Sequence, residues 1–361
     1  DALLVTDAQG QVIIAQNEHK KLIPASTLKV FTGLVAMHYL GPEYRFPTDF
    51  FLDAESNLTV KGYGDPLLVS ETLSAIAQVL AGKVASIQDV VLDNSFFERP
   101  IRIPGRSRSL QPYDAPNGAL CANFNTVYFK YHQGRYVTAE PQTPLVPFVL
   151  EKIRSSGLQQ ERITFSQKQD DIPLYVGHLL RFFLQEAGVP VKGRIRVGHV
   201  RPDSDRLVYH FRSRFDLRQV IARMLDFSNN FIANQLLIAA GSAAYGAPGT
   251  LSKGVQAAKS YARQELAIEA LQVVEGSGIS RKNRLSAVAL DRILEKFRPY
   301  GNLMDHQNGL FYKTGTLKGI KTRIGYIEGP ENAFYRFVIL INTPGKPIEP
   351  VIDYVLESLP F

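Results

Sequence analysis

The sequence predicts a mixed α/β (α+β) protein. The expected body is one antiparallel sheet that draws the two chain ends together, with flanking helices, a helical lobe beside it and a mostly β domain inserted into it. Three observations carry this expectation. Apolar runs near the amino end and three more near the carboxyl end supply sheet strands from both termini. From residue 171 to about residue 297 the apolar period is helical. From residue 56 to residue 170 the texture changes to short strand-like pieces broken by Pro and Gly. The expected division is residues 1–55 with 171–361 as one domain and residues 56–170 as the inserted one.

The elements follow in chain order. Residues 3–6 and 11–15 are apolar runs flanking Asp7-Ala8-Gln9-Gly10, which reads as a β-hairpin with Asp and Gly in its turn. Pro24 precedes and Gly41 follows an apolar stretch that ends at Leu40, the punctuation of a helix. Residues 44–52 read as a strand. Within the inserted block, residues 58–64, 90–97, 126–132 and 135–140 are strand-like, residues 69–81 are helix-like, and residues 99–116 form a loop rich in Pro, Arg and Ser. Helical patterns return at residues 174–187, 217–225, 230–240, 257–266 and 287–297. Residues 310–316, 322–328 and 335–342 read as strands, and residues 351–359 as a closing helix.

The 361 residues are 45% hydrophobic and 21% charged, enough apolar material for about two domains. No run of 18 apolar residues occurs, so no transmembrane helix is expected. No basic-then-apolar leader opens the chain, as in a mature exported protein. The single cysteine, Cys121, excludes an intrachain disulfide and a cysteine-rich metal site and reads as a packed hydrophobe. The scattered histidines lack metal-ligand spacing, so no metal is expected. The net charge of +7 favours contact with anionic surfaces, a membrane or an acidic cell-wall polymer. A nucleic-acid partner is not expected, because the chain has no Lys/Arg run of five, no zinc finger and no RNP-like aromatic motif.

Three short motifs bear chemistry. Ser26-Thr27-Leu28-Lys29 is a Ser-x-x-Lys, and Ser26 is the only serine with Lys three residues later. On a helix the two side chains share a face, so the Lys29 amine can take the Ser26 hydroxyl proton if its pKa is lowered. The Ser26 N–H at the helix start suits an oxyanion. Ser228-Asn229-Asn230 lies between two helices. There a hydroxyl can relay a proton and the Asn230 amide can hold a carbonyl and orient Lys29, although Ser and Asn equally serve as helix caps. Lys313-Thr314-Gly315-Thr316 ends a strand. Gly there lets a peptide-like ligand approach the backbone, Lys313 and the Thr hydroxyls suit a terminal carboxylate, and the Thr316 N–H is the second oxyanion donor. Each motif alone is unremarkable. Their order, each on the required element, is the signature of penicillin-binding proteins and class A β-lactamases.

The chain resembles the class C low-molecular-mass penicillin-binding proteins, the PBP4-like D-Ala-D-Ala carboxypeptidase/endopeptidases of peptidase family S13. The long stretch between Ser26 and Ser228 has room for that family's inserted domain. Gly62-Tyr63-Gly64-Asp65-Pro66, Val91-Leu92-Asp93-Asn94-Ser95-Phe96-Phe97, Tyr113-Asp114-Ala115-Pro116 with Asn123-x-Asn125, and Glu275-Gly276-Ser277-Gly278-Ile279-Ser280-Arg281 resemble further family segments. The resemblance implies a β-lactamase-like transpeptidase domain with Ser26 as nucleophile and Lys29 as its base. Ser228, Asn230 and Lys313 complete the proton network, and Thr314, Gly315 and Thr316 line the substrate strand. Arg281 and Tyr113 would lie at the mouth and contact substrate, with a structural salt bridge as the other role for Arg281.

It also implies no cofactor, a periplasmic location, peptidoglycan stem peptides as substrates and β-lactams as covalent inhibitors. The family's loop often carries Trp and an acidic residue where this chain has Arg106 and Arg108. Two arginines cannot pair with a stem-peptide amine, which implies a weaker preference for amine-bearing stem peptides, or a different one. The rival readings are a β-lactamase or esterase on the same fold, against which the lack of a Glu-x-x-Leu-Asn stands, and a wall-binding or sensor protein with little turnover.

Overall fold

Both ends of the chain enter one antiparallel sheet. The computed structural model describes residues 1–329 and 334–359. Strands β1 (Ala2–Thr6) and β2 (Val12–Gln16) form the expected hairpin, and β11 (Asp305–Gln307), β12 (Leu310–Leu317), β13 (Ile320–Glu328) and β14 (Phe334–Ile341) return from the far end of the chain. The sheet order is β11-β12-β13-β14-β1-β2, so β1 pairs with β14 across almost the whole sequence. All five β1 residues are buried because both faces of the sheet are covered. Ala2 and Leu4 face the helical core, whereas Leu3 and Val5 face the closing helix α9 (Glu349–Ser358).

The helical lobe contains α1 (Leu28–Leu40), α5 (Leu217–Asp226), α6 (Asn230–Tyr245), α7 (Leu251–Leu266) and α8 (Ala287–Phe297). Helices α1 and α6 are apolar on nearly every face, since other elements surround them. Helix α7 lies close to α6 through two glycines: a Cβ on Gly254 would stand 2.4 Å from the Leu237 carbonyl oxygen. No helix among the described residues is long and apolar enough to cross a membrane.

The inserted unit is larger and more helical than the sequence suggested. Its main sheet has the order β10-β3-β4-β5-β9, built from β3 (Pro47–Leu52), β4 (Leu58–Gly62), β5 (Val90–Asp93), β9 (Ile195–Val197) and β10 (Arg206–Arg212). Strands β3, β9 and β10 lie outside residues 56–170, so strand pairing carries the unit from about residue 47 to residue 212. The helix α4 (Asp171–Glu186), expected in the first domain, packs with α2 (Ser70–Ala81) over this sheet. A third sheet, ordered β7-β6-β8, uses β6 (Thr126–His132), β7 (Arg135–Thr138) and β8 (Gln160–Thr164), with α3 (Pro147–Ser156) beside it. Strands β4, β5 and β9 pair in parallel, and parallel pairing needs crossover segments such as α2 and α4. The unit is therefore mixed α/β, a correction to the expected mostly β composition.

One buried charge pair ties the terminal sheet to the helical lobe. Arg336 of β14 is almost fully buried and donates from Nε to Asp291 Oδ1 at 2.9 Å and from Nη2 to Asp291 Oδ2 at 3.2 Å, with Thr6 Oγ1 donating to the same carboxylate at 2.7 Å. Removing one member leaves the other charge buried and alone. Asp291→Ala should lower unfolding stability by about 3–5 kcal/mol, read from the urea midpoint, whereas a loss below about 1 kcal/mol contradicts this account.

Candidate active site

The nucleophile candidate stands on a 3-10 turn, Ala25–Thr27, that precedes α1 rather than in the first turn of α1 itself. Ala25 before it is fully buried and left-handed, with φ of 50°. An alanine holds that conformation only where its surroundings impose it. Here the Pro24 carbonyl oxygen accepts from Thr27 Oγ1 at 2.7 Å and from Thr322 Oγ1 of β13 at 2.8 Å. Asn342 grips Ile23, its Oδ1 accepting from the Ile23 N–H at 2.8 Å and its Nδ2 donating to the Ile23 carbonyl at 3.2 Å. The turn is thus stapled to the sheet before the helix begins.

Lys29 is fully buried, and its Nζ donates to Ser26 Oγ at 2.9 Å, Asn230 Oδ1 at 2.8 Å and the Ser277 carbonyl at 2.7 Å. Burial pulls its pKa down to about 7, the Lys313 ammonium pulls in the same direction, and Glu275 opposes. An amine in that range can accept a proton near neutral pH. Lys313 is also buried and lowered, chiefly by desolvation.

The Ser228-Asn229-Asn230 triplet joins α5 to α6. Asn229, the middle residue, caps α6 by accepting from the Ile232 N–H at 3.0 Å, which leaves Ser228 and Asn230 free for the site. Ser228 is half-buried and left-handed, with φ of 48°. Asn230 Nδ2 donates to the Tyr113 carbonyl at 3.4 Å, bringing the insertion loop to the site, while the Tyr113 ring stays exposed.

On the other side lies β12. Strand β11 pairs it only from Leu310 to Tyr312, so Lys313–Leu317 present an edge free of β11. Gly315 approaches the Ser26 turn closely: a Cβ there would lie 2.8 Å from the Ser26 nitrogen and 2.3 Å from Thr322 Oγ1. Lys29 thus meets Ser26 and Asn230 by hydrogen bonds, Gly315 lies against the Ser26 nitrogen, and Lys313 is near enough to pull down the Lys29 pKa. Ser228, Thr314 and Thr316 adjoin these residues in sequence. Arg281 donates to the Lys318 carbonyl, just past the same strand, and takes part in no salt bridge among the described residues. In the insertion loop Arg106 is half-buried and donates to the Asp114 carbonyl at 3.3 Å, whereas Arg108 is exposed. Cys121 is buried, with its thiol pushed up to about 12, which suits packing and not nucleophilic chemistry.

Residues 274–283 do more here than their motif revealed. The Glu275 carboxylate is fully buried and accepts from the N–H groups of Ser277, Gly278 and Ser280, from Ser277 Oγ, and from the Asn234 and Asn283 amides, at 2.6–3.2 Å. These bonds aim the Ser277 carbonyl at Lys29. Gly278, with φ of 86°, admits no side chain, since a Cβ would stand 1.8 Å from the Ala25 carbonyl oxygen. The signal available in the sequence was an acidic residue opening a Gly-Ser-Gly stretch.

The model of the D-Ala-D-Ala carboxypeptidase 3 (S13) family matches residues 2–156 and 153–310. The D-alanyl-D-alanine carboxypeptidase of Actinomadura sp. (strain R39) is 24% identical, over 91% of this chain and 75% of its own. The crystal structure of penicillin binding protein 4 (DacB) from Haemophilus influenzae superposes with a TM-score of 0.78 at 21% identity, over 96% of this chain and 91% of the other. A penicillin G-acylated predatory endopeptidase of Bdellovibrio bacteriovorus superposes with a TM-score of 0.54 at 16% identity, over 99% of this chain and 90% of the other.

The Glu275 arrangement is open to test. Glu275→Gln keeps the shape but turns part of the acceptor into a donor facing other donors, and should cost about 2–4 kcal/mol in urea unfolding. An unchanged midpoint contradicts the organising role.

Proposed function

The chain belongs to the D-Ala-D-Ala carboxypeptidase 3 (S13) family, and we propose that Ser26 is the nucleophile with which this serine-type carboxypeptidase opens the D-alanyl-D-alanine end of peptidoglycan stem peptides. The observation that carries the assignment is the buried Lys29 amine, lowered to about 7 and 2.9 Å from Ser26 Oγ. Lys29 Nζ takes the hydroxyl proton as Ser26 Oγ bonds to the carbonyl carbon between the two D-alanines. Charge collects on the carbonyl oxygen between the N–H groups of Ser26 and Thr316. The C–N bond then breaks, and the departing D-alanine amine receives the proton through Ser228. Water, losing its proton to Lys29, attacks the ester and restores Ser26.

The peptide lies along the free edge of β12 as an added strand, with Lys313, Thr314 and Thr316 at its terminal carboxylate, Gly315 beneath it, and Arg281 and Tyr113 at the mouth. A β-lactam acylates Ser26 in the same way, but the amine released from its ring stays tethered, so the adduct persists. Applied to a cross-linked peptide, the same steps give endopeptidase activity. We place this chemistry outside the cytoplasm, in the periplasm, where a net charge of +7 suits an anionic wall.

Intact-mass spectrometry after benzylpenicillin exposure should show one adduct, mapped to Ser26 and absent in Ser26→Ala, with D-alanine release lost in the same variant. An adduct elsewhere overturns the assignment, and rapid nitrocefin turnover points instead to a β-lactamase. The acylation rate should rise with pH about a midpoint near 7, because below it Lys29 is an ammonium with no capacity to accept a proton. Since Glu275 raises the Lys29 pKa, Glu275→Gln should move that midpoint to lower pH. Finally, meso-diaminopimelate pentapeptides should be cleaved no faster than their side-chain-acetylated forms, because arginines line the insertion loop. A strong preference for the free amine refutes this expectation.

A further inference from the structure

Behind the Ser228–Asn230 turn lies a second cavity of about 600 Å³ that the reaction above does not use. Its walls come from both units: Arg214, Phe215, Arg223 and Phe227 on one side, Phe124 and Arg162 on the other. It adjoins the catalytic cleft through two shared segments. Asn229, between Ser228 and Asn230, lines it, as does Pro112, whose neighbour Tyr113 accepts the hydrogen bond from Asn230.

Three features of this cavity need a reason. The Arg214 and Arg223 guanidinium carbons both lie on the Phe215 ring, 4.7 and 4.1 Å from its centre. Neither arginine has a carboxylate partner among the described residues, although Arg162 across the cavity is paired with Glu140 at 2.5 Å. Two cations sharing one ring repel each other and leave a place for an anion, even with Glu71 also on the wall. Second, Phe227, adjacent to Ser228, is 72% exposed, a large apolar surface left in water beside a catalytic motif.

Third, Phe124 is held with φ of 58°, between Asn123 at 49° and Asn125 at 53°. A bulky residue in that region is strained, and strain of this kind gathers at ligand clamps. Buried amide bonds enforce it: Asn123 accepts from the Ser70 N–H at 2.9 Å and donates to Ser70 Oγ at 2.8 Å, and Asn125 donates to the Pro116 carbonyl at 2.7 Å. Their effect is to present the Phe124 ring to the cavity.

We propose that this cavity is a subsite for the acyl donor upstream of the scissile bond, and that it takes a carboxylate-bearing, partly apolar peptide segment. The carboxylate sits at Arg214 and Arg223, and the apolar portion lies against Phe124 and Phe227. The assignment rests on the reading that the acyl donor passes the Ser228–Asn230 turn.

The test compares a short acyl-D-Ala-D-Ala substrate with longer peptides carrying an upstream carboxylate, either free or amidated, on wild type, Arg214→Gln, Arg223→Gln and the double variant. For the free-carboxylate peptide, kcat/KM should fall about tenfold in the double variant, about the worth of one charge-assisted hydrogen bond. The short and the amidated substrates should change less than twofold. Benzylpenicillin acylation should be unchanged in every variant and serves as the control for the catalytic reading. Failure of wild type to be acylated sinks that reading alone, because binding of a carboxylated peptide without D-Ala-D-Ala to Ser26→Ala, followed by NMR titration, still reports on the cavity. Equal losses on all three substrates, or no loss on the carboxylated one, overturn the subsite. Should the double variant unfold, Phe227→Ala replaces it, with the prediction of a several-fold loss confined to the longer peptides.

Discussion

The site depends on keeping a lysine amine dry. A primary amine prefers to be charged and hydrated, and removing it from water favours the neutral form. Lys29 is fully buried in the wall between α1, α6 and the 274–283 loop, and its Nζ faces three oxygens, of which only Ser26 Oγ carries a proton it can take. Two influences oppose each other around it. Lys313 pushes its pKa down, while Glu275 holds it up. The result is an amine poised near neutrality rather than one locked in either form.

That arrangement requires close backbone approach from three directions. The turn at Ala25 takes up a left-handed conformation, Gly278 passes under its carbonyl oxygen, and Gly315 passes beside the Ser26 nitrogen. A side chain at either glycine would push the turn off the sheet. Thr322 and Asn342 hold the same turn from the sheet side, so the strain is distributed over hydrogen bonds from distant parts of the chain. The terminal hairpin and the carboxyl-terminal strands thus act as the anvil on which Ser26 is set, and the Arg336–Asp291 pair fixes that anvil to the lobe that carries Lys29.

The inserted unit contributes through contact more than through catalytic groups. Its loop brings Tyr113 to Asn230, and Gly105 packs on the Ser280 backbone, where a Cβ would lie 2.6 Å from Ser280 Cα. The loop is organised internally by Asp114, which accepts from Ser107 and Ser109. The cavity behind Ser228 is therefore walled by both units, and the same insertion loop meets Asn230.

Local patterns were readable directly. The Ser-x-x-Lys, Ser-x-Asn and Lys-Thr-Gly patterns, the hairpin and the helix periods are properties of neighbours within a few residues, and the structure has the hairpin and the helices where the patterns put them, although α7 begins at Leu251 and α6 runs on to Tyr245, beyond the expected spans. Composition alone did not show where the inserted unit ends, because β3, β9 and β10 join its sheet by hydrogen bonds between strands far apart in sequence. Nor could a four-residue motif show that Ser26 sits on a 3-10 turn, that Asn229 takes the capping role, or that Glu275 gathers six donors to aim a carbonyl at Lys29. Periodicity reports which face of an element is apolar. Which distant backbone meets that face, and how dry the meeting point becomes, is decided only when the chain closes on itself.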